Sequence, residues 1–400
     1  MTNRHSLIRI IFPVLLLAII ISTVAYFSQS TWSSKNTPWD PMVNEDMNQA
    51  KTLLKIGRAK EALVIYERHA VNDHPVSMFY SAKFYSRGWG VRPNLNIARG
   101  YYLKAVEYSF PYRGETAYEL GRLFQRSKGA DCNTVAMEWF KNALKWNYVK
   151  AALQLAIHYE KGLGVEPDLD KASSYYEIAV AAENEQAMIK YARLLISRKY
   201  GTKQDPPKAE RLINQAIILL KRKAHSGSSN AAKQLGRVYR DGDLVPQDNS
   251  KSIKWLKHAA HLGSKGGMHD YAHILLADTT HPENHKKAIH WLRSAAELGH
   301  GASMTALGRF HLDEKYGLNR EGSLKWFERG AEVPHGGSLE ELAHFYNRGF
   351  LVLKDRKKAI EFAERGKRLG HSGSSKLLSA MRLENAASEL TLPDTATFRR

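Results

Sequence analysis

SNAAKQLGRVYRDGDLVPQDNSKSIKWLKHAAHLGS, residues 229–264, sets the pattern for most of this chain. It holds two short amphipathic runs separated by a polar bend. In the first, Leu235, Gly236, Val238 and Tyr239 are apolar or small, and at about 100° per residue they share one face of a helix. In the second, Ile253, Trp255, Leu256, Ala259 and Ala260 do the same. Asp241-Gly242 breaks the first helix, because glycine takes a left-handed conformation without steric cost. Gly263 closes the second.

The unit recurs. A small residue preceded by an apolar one falls at Ala82, Gly121, Ala156, Ala192, Gly236, Ala272, Gly308 and Ala343, at intervals of 39, 35, 36, 44, 36, 36 and 35 residues, with Ser81 before the first. A second column keeps step: Tyr101-Tyr102, Trp139-Phe140, Tyr175-Tyr176, Leu212-Ile213, Trp255-Leu256, Trp291-Leu292, Trp326-Phe327 and Phe362-Ala363. Two independent columns in one register over eight units predict a solenoid of helix pairs, in which no repeat buries its apolar face without its neighbours.

These residues resemble the Sel1-like repeat (SLR) family, relatives of the tetratricopeptide repeats. The signature is a leucine-glycine-x-x-tyrosine helix, a glycine-x-glycine-valine bend, then lysine-alanine-x-x-tryptophan/tyrosine and a closing alanine pair. Here it reads Leu235-Gly236 with Tyr239, Gly162-Leu163-Gly164-Val165, Lys171-Ala172 with Tyr175-Tyr176, and Ala295-Ala296 with Leu298-Gly299. The resemblance covers roughly residues 75–382. The fourth repeat departs most, with Leu212-Ile213 in place of an aromatic pair and about eight extra residues around Ile217 to Ser228. The resemblance implies an all-α, right-handed α-solenoid of about eight SLR hairpins that serves as a protein-binding scaffold. It names no substrate.

The 400 residues carry a net charge of +19, which favours an anionic partner without separating nucleic acid, acidic lipid, acidic polysaccharide and acidic protein. The lone cysteine, Cys132, excludes an internal disulfide. Some SLR proteins brace each repeat with a cysteine pair; this chain does not.

Residues 1–9 form a short basic N-terminus with Arg4, His5 and Arg9. From Ile10 to Phe27 eighteen residues carry no charge, IIFPVLLLAIIISTVAYF. A bilayer core of ~30 Å takes about 20 apolar residues, so this stretch reads as a transmembrane anchor. It also fits the hydrophobic region of a cleaved signal peptide, which would leave the repeats periplasmic or secreted. No cysteine follows, so a bacterial lipoprotein anchor is excluded. By the positive-inside tendency the N-terminus stays in the cytoplasm, and the repeats of this single-pass inner-membrane protein face the periplasm. Residues 28–46 read as a linker, 47–74 as a degenerate tetratricopeptide-like capping hairpin, 75–371 as eight repeats, 372–386 as a C-terminal capping helix and 387–400 as a disordered tail.

No H-E-x-x-H, nucleophile elbow or phosphate loop is present, and neither a catalytic residue nor a cofactor is expected. His225-Ser226-Gly227-Ser228 and His371-Ser372-Gly373-Ser374, like His300-Gly301 and His335-Gly336, fall at junctions between repeats, where glycine C-caps and serine N-caps belong. His269 and His273 share a helix, with His281, His285 and His290 just after. They read as solvated positions rather than a metal site, which takes about four ligands with an ordered surround. Trp139, Trp255, Trp291 and Trp326 sit in the helix-two column and read as core.

One column points elsewhere. Directly after the small residues stand Lys83, Arg122, Ile157, Arg193, Arg237, His273, Arg309 and His344. The apolar positions before and after the small residue span one side of the helix, and this position lies opposite their mean. In solenoids of this type the first helices line the concave face, about 10 Å apart, so the column would form a ladder of positive groups along a groove. Exposed helix positions are also often Lys or Arg for solubility alone. As a binding surface the ladder would attract an acidic protein or acidic polysaccharide, with affinity that falls as salt rises. Nucleic acid is not expected of an exported chain. The resemblance implies three roles: a scaffold of exopolysaccharide secretion, an immunity protein against a type VI secretion phospholipase, or an enzyme related to β-lactams. Residues for the last are missing.

Overall fold

The computed structural model describes residues 41–127, 131–197, 204–278, 281, 283–313 and 318–390. Among them are nineteen α-helices and no β-strand. The expected transmembrane segment, residues 10–27, lies outside the described residues, as does the tail from 391 onward. No helix among the described residues is long and apolar enough to cross a membrane.

The chain divides into two compact units, Met1–Ile178 and Ala179–Arg400. The first holds α1 (Pro41–Lys55), α2 (Ala59–Ala70), α3 (Pro75–Arg87), α4 (Leu95–Ala105), α5 (Arg113–Arg126), α6 (Cys132–Lys145) and α7 (Ala151–Lys161), and the boundary falls in α8 (Leu169–Ala181). The second holds α9 (Glu185–Ile196), α10 (Pro206–His225), α11 (Ser229–Asp241), α12 (Asn249–His261), α13 (Lys265–Ala277), α14 (Glu283–Glu297), α15 (Gly301–Phe310), α16 (Arg320–Glu332), α17 (Gly336–Arg348), α18 (Arg356–Arg368) and α19 (Ser372–Leu390). Odd-numbered helices from α3 to α17 are first helices of hairpins, and the even-numbered ones are second helices.

The two sequence columns are two sides of one contact. The second residue of each doublet is buried: Tyr102, Phe140 and Tyr176 in the first unit, and Ile213, Leu256, Leu292, Phe327 and Ala363 in the second. Each small residue makes room for it. A methyl group at Gly121 would stand 2.6 Å from Phe140 Cε1, one at Gly236 2.4 Å from Leu256 Cγ, and one at Gly308 2.6 Å from Phe327 Cζ. Each buried large side chain contributes about 1.5–3 kcal/mol, so the columns are where the hairpins gain their stability.

The bend between the helices also repeats. The Asx residue that opens a second helix caps it with its side chain and donates its own N–H to the carbonyl of the tyrosine near the end of the first. Asp168 N to Tyr159 O is 2.9 Å; Asp248 to Tyr239 and Asp355 to Tyr346 are each 2.9 Å, and Asn94 to Tyr85 is 2.8 Å. The lysine three residues on then covers that tyrosine ring, Lys171 over Tyr159 at 5.6 Å and Lys251 over Tyr239 at 5.4 Å. Gly162 ends α7 at φ +66°, and Gly164, at φ +70°, lies so near α6 that a Cβ would be 2.3 Å from Thr134 N. The paired glycines are thus a hairpin bend braced on the previous repeat.

Two boundaries differ from expectation, and the fourth repeat shows where its extra residues go. The linker was expected to run to residue 46, but α1 starts at Pro41. Asp46 accepts a 2.7 Å hydrogen bond from His69 Nε2, and Met47 and Ala50 are buried, so the helix is held against α2. The C-terminal helix, expected to end at 386, continues to Leu390, since neither glycine nor proline intervenes before Pro393. The extra residues of the fourth repeat do not form a loop: α10 is 20 residues long where α12 has 13. Its insert is two further helical turns, uninterrupted until Gly227.

Candidate protein-binding face

Each within its own unit, four members of the basic column reach the next first helix or the bend after it. In the first unit, Lys83 Nζ lies 2.9 Å from Glu115 Oε1 and 4.7 Å above the Phe79 ring. One turn on, Arg87 reaches Glu119 at 3.3 Å. In the second unit, Arg193 Nε meets Asp243 at 2.6 Å and its Nη2 meets Asp241 at 3.3 Å. The hydrogen bond to Asp243 pushes that guanidinium above its ordinary pKa. Arg237 Nε meets Asp270 at 2.6 Å, and Arg309 meets Glu341 at 2.7 Å. These four members of the ladder, Lys83, Arg193, Arg237 and Arg309, therefore join neighbouring first helices, and their charge is matched within the protein.

The acids were not singled out in the sequence, although a signal existed. Arg237 and Asp270 are 33 residues apart, and Arg309 and Glu341 are 32 apart. That is one repeat less three positions: a cation just after one small residue faces an acid two before the next. The helical wheel explains the oversight. A side chain opposite its own hairpin's core stripe can still meet the adjoining first helix as readily as solvent.

The other members differ. Among the described residues Arg122 has no carboxylate partner, and Gln154 occupies the register position of the facing acid. Arg122 is half-buried, with its guanidinium 6.0 Å from the centre of the Tyr118 ring. Tyr118 and Tyr148 pack at 5.1 Å, and Lys150 Nζ lies 5.8 Å above Tyr148. Burial raises the pKa of both phenols, Tyr148 further by Glu115, so their hydroxyls stay protonated and able to donate. An unmatched guanidinium among tyrosines has the chemistry of an interface anchor, since Tyr and Arg dominate binding hot spots. His344 is half-buried on α17, and Ile157, the apolar exception to the column, is half-buried on α7.

His273 is exposed, its ring 4.4 Å from that of His269, whose own ring is 4.9 Å from His300. His281 pairs instead with Asp278 at 2.9 Å. Among the described residues no three His, Cys, Asp or Glu side chains are arranged to hold a metal ion. Trp139 and Trp255 are buried, and Trp291 and Trp326 half-buried in the same column.

The junction histidines have a role that was missed. His74 and His371 accept the backbone N–H of the residue three on, Ser77 and Ser374, each at 3.3 Å through Nδ1. The serines point back at 2.8 Å and 3.2 Å. His300 Nδ1 pairs with Ser303 Oγ at 2.9 Å in the same way. His74 and His371 thus cap α3 and α19 as Ser228 caps α11 and Asn184 caps α9, whereas His300 makes no bond to the backbone of α15.

The Sel1 repeat model matches residues 75–107, 149–184, 186–219, 229–264, 267–300, 301–334 and 338–371. The stretch it leaves out, 108–148, contains α5 and α6, which pack as a hairpin like the rest. A protective antigen of uropathogenic Escherichia coli with an SLR fold is 20% identical, covers 87% of this chain and 74% of its own, and has a TM-score of 0.41. A Sel1 repeat protein of Oxalobacter formigenes is 21% identical over 83% of this chain and 93% of its own, with a TM-score of 0.41. Yeast Tom70 is 16% identical over 90% of this chain and 71% of its own, and its TM-score of 0.52 reflects a shared helical-repeat fold. No curated protein matches the chain.

Proposed function

The chain belongs to the Sel1 repeat family, and from that premise we propose that it is a non-enzymatic scaffold that docks an acidic segment of a partner protein on its first helices. One observation carries the reading. Of the cations in the ladder, Lys83, Arg193, Arg237 and Arg309 are neutralised by acids of neighbouring helices, whereas Arg122 meets no carboxylate among the described residues and lies beside Tyr118 and Tyr148. A partner carboxylate there would gain a charge-assisted hydrogen bond to Arg122 and phenolic donors beside it. In the first unit the Lys83–Glu115 pair serves that surface by fixing the spacing of α3 and α5.

Residues 10–27 complete the proposal as an inner-membrane anchor that presents the repeats to the periplasm. A reporter active only outside the cytoplasm, fused at Lys150, then gives a signal; a silent reporter reverses the topology.

The docking claim is tested by capture from membranes with affinity-tagged full-length protein. Arg122→Glu, which reverses one exposed-side charge and breaks no ion pair, should reduce partner recovery by tenfold or more with helical content unchanged, on the order of a buried charged contact. Recovery at the wild-type level from that variant refutes the reading. Displacement of the partner by a polyuronate would reassign the site to an acidic polysaccharide.

A further inference from the structure

Within the second unit two first-helix cations pair in one register, and the rung between them is broken. Arg237 on α11 pairs with Asp270 on α13, and Arg309 on α15 pairs with Glu341 on α17. Between those two rungs the same register sets His273 of α13 against Ala306 of α15. The missing acid leaves space. A cavity of about 540 Å³ opens there, with His269, His273, Ala306, Arg309 and His335 in its wall and His371 beside them. Ala302 and Gly337 keep it wide, and Leu276 and Phe310 give it an apolar side.

We propose that this cavity receives a carboxylate from an acidic segment of a partner protein, which supplies the acid that Ala306 lacks, and that it holds the segment more tightly as pH falls below neutrality. The two intact rungs, α11 to α13 and α15 to α17, show that the spacing of neighbouring first helices here suits a carboxylate opposite a column side chain. The volume far exceeds that of a single carboxylate, and the apolar side suits the aliphatic stem and neighbouring residues of a peptide.

The proton linkage follows from the surroundings of the imidazoles. Burial lowers the pKa of His269 to about 4, with His273 and His300 adding to the shift. Partial desolvation against the cavity wall likewise lowers His273, although one side of its ring is open to solvent, against the pull of Asp270 and with Arg240 adding. His300 is lowered by burial, then by Lys265, His335 and, less, Lys233. His335 is lowered by burial, then by His371 and Arg309. The nearby acids are engaged: Asp270 by Arg237 and Glu341 by Arg309, while Glu340 lies 3.7 Å from His371 Nδ1. Asp313 also lines the cavity. A carboxylate entering beside His273 favours its protonated form, so binding takes up a proton and strengthens as pH falls.

The inference rests on the preceding reading that an acidic protein segment docks on first helices, but at a site in the second unit that does not involve Arg122. It is tested on the full-length chain with a fluorescein-labelled, end-capped deca-glutamate peptide, by anisotropy at pH 7.5 and 5.5 and constant ionic strength. Glutamate, with an ordinary pKa of about 4.3, stays ionised throughout. The wild type should bind about tenfold more tightly at pH 5.5, the effect of one proton taken up across one pH unit. His273→Gln and Ala306→Glu should each reduce that increment to within about twofold, with unchanged far-UV circular dichroism, while Arg122→Glu leaves it intact. Affinity independent of pH in the wild type, or an increment that survives both cavity variants, overturns the proposal. So does displacement of the peptide by polygalacturonate at lower carboxylate concentration than by unlabelled peptide, since the occupant would then be a polysaccharide.

Discussion

Replacing Gly121 with alanine probes the contact on which every hairpin depends. The added methyl would meet Phe140 Cε1, Cδ1 and Cζ at 2.6, 2.8 and 2.9 Å, against the 3.5–4.0 Å at which carbon atoms attract. The ring has little freedom to retreat, because Tyr118 and His158 flank it at 5.7 and 5.6 Å between centroids. Overpacking of this kind costs about 1–3 kcal/mol, and the better helix propensity of alanine offsets about 1 kcal/mol of that. The net change in the first unit is a loss of up to about 2 kcal/mol. Gly100 in α4 is the control, since a methyl there meets nothing within 4 Å. Gly100→Ala should therefore stabilise the same unit by up to about 1 kcal/mol. Urea unfolding followed by far-UV circular dichroism separates the two. Phe140→Leu in the Gly121→Ala background should recover part of the loss, giving a favourable coupling in the double-mutant cycle. If Gly121→Ala stabilises as Gly100→Ala does, the small column is not there to admit the second helix, and the explanation of the repeat fails.

Two further outcomes follow from the histidines. His269 is held near pKa 4 in the fold against about 6.5 when unfolded. The unfolded chain then binds more protons between those values, so the contribution of His269 is complete above pH 6.5 and is lost as pH falls toward 4. His269→Asn should flatten the fall in urea midpoint between pH 7 and pH 5; an unchanged profile counts against a buried neutral imidazole. His371→Ala should cost about 1 kcal/mol by removing the acceptor for Ser374 N–H, and His371→Asn should restore most of it. Equal stability of the two variants would show that the cap contributes nothing.

The fold was legible because its determinants are local and repeated. Gly236 and Leu256 are 20 positions apart and in contact, and nearly the same spacing, 19 positions, returns at Gly121 with Phe140 and Gly308 with Phe327, so register alone exposes the pairing. Helix lengths were harder to read. Alternation of polar and apolar residues does not distinguish a loop insert from extra helical turns, and α10 absorbed its insert as helix because nothing from Ala216 to His225 breaks one. The basic column was visible too, but what it faces was not. Lys83, Arg193, Arg237 and Arg309 meet acids supplied by other helices, and position on a single helical wheel carries no information about those. What sets Arg122 apart is the absence of a carboxylate partner among the described residues, and what sets His273 apart is the cavity beside Ala306; neither is visible on a helical wheel. The His-x-x-Ser spacing does not by itself identify a cap: it occurs at His74, His300, His335 and His371, but only His74 and His371 accept the backbone N–H.

The account turns on which face of the helix pairs meets the partner. Photo-crosslinking in living cells tests this most directly, with p-benzoylphenylalanine placed at Gln154 or His344 on first helices and at Lys257 or Glu328 on the exposed sides of second helices. The first-helix positions should yield a discrete protein adduct that disappears with Arg122→Glu for the Gln154 probe, and the second-helix positions should yield none. Adducts confined to Lys257 and Glu328 would place the partner on the opposite face and contradict the docking surface described above.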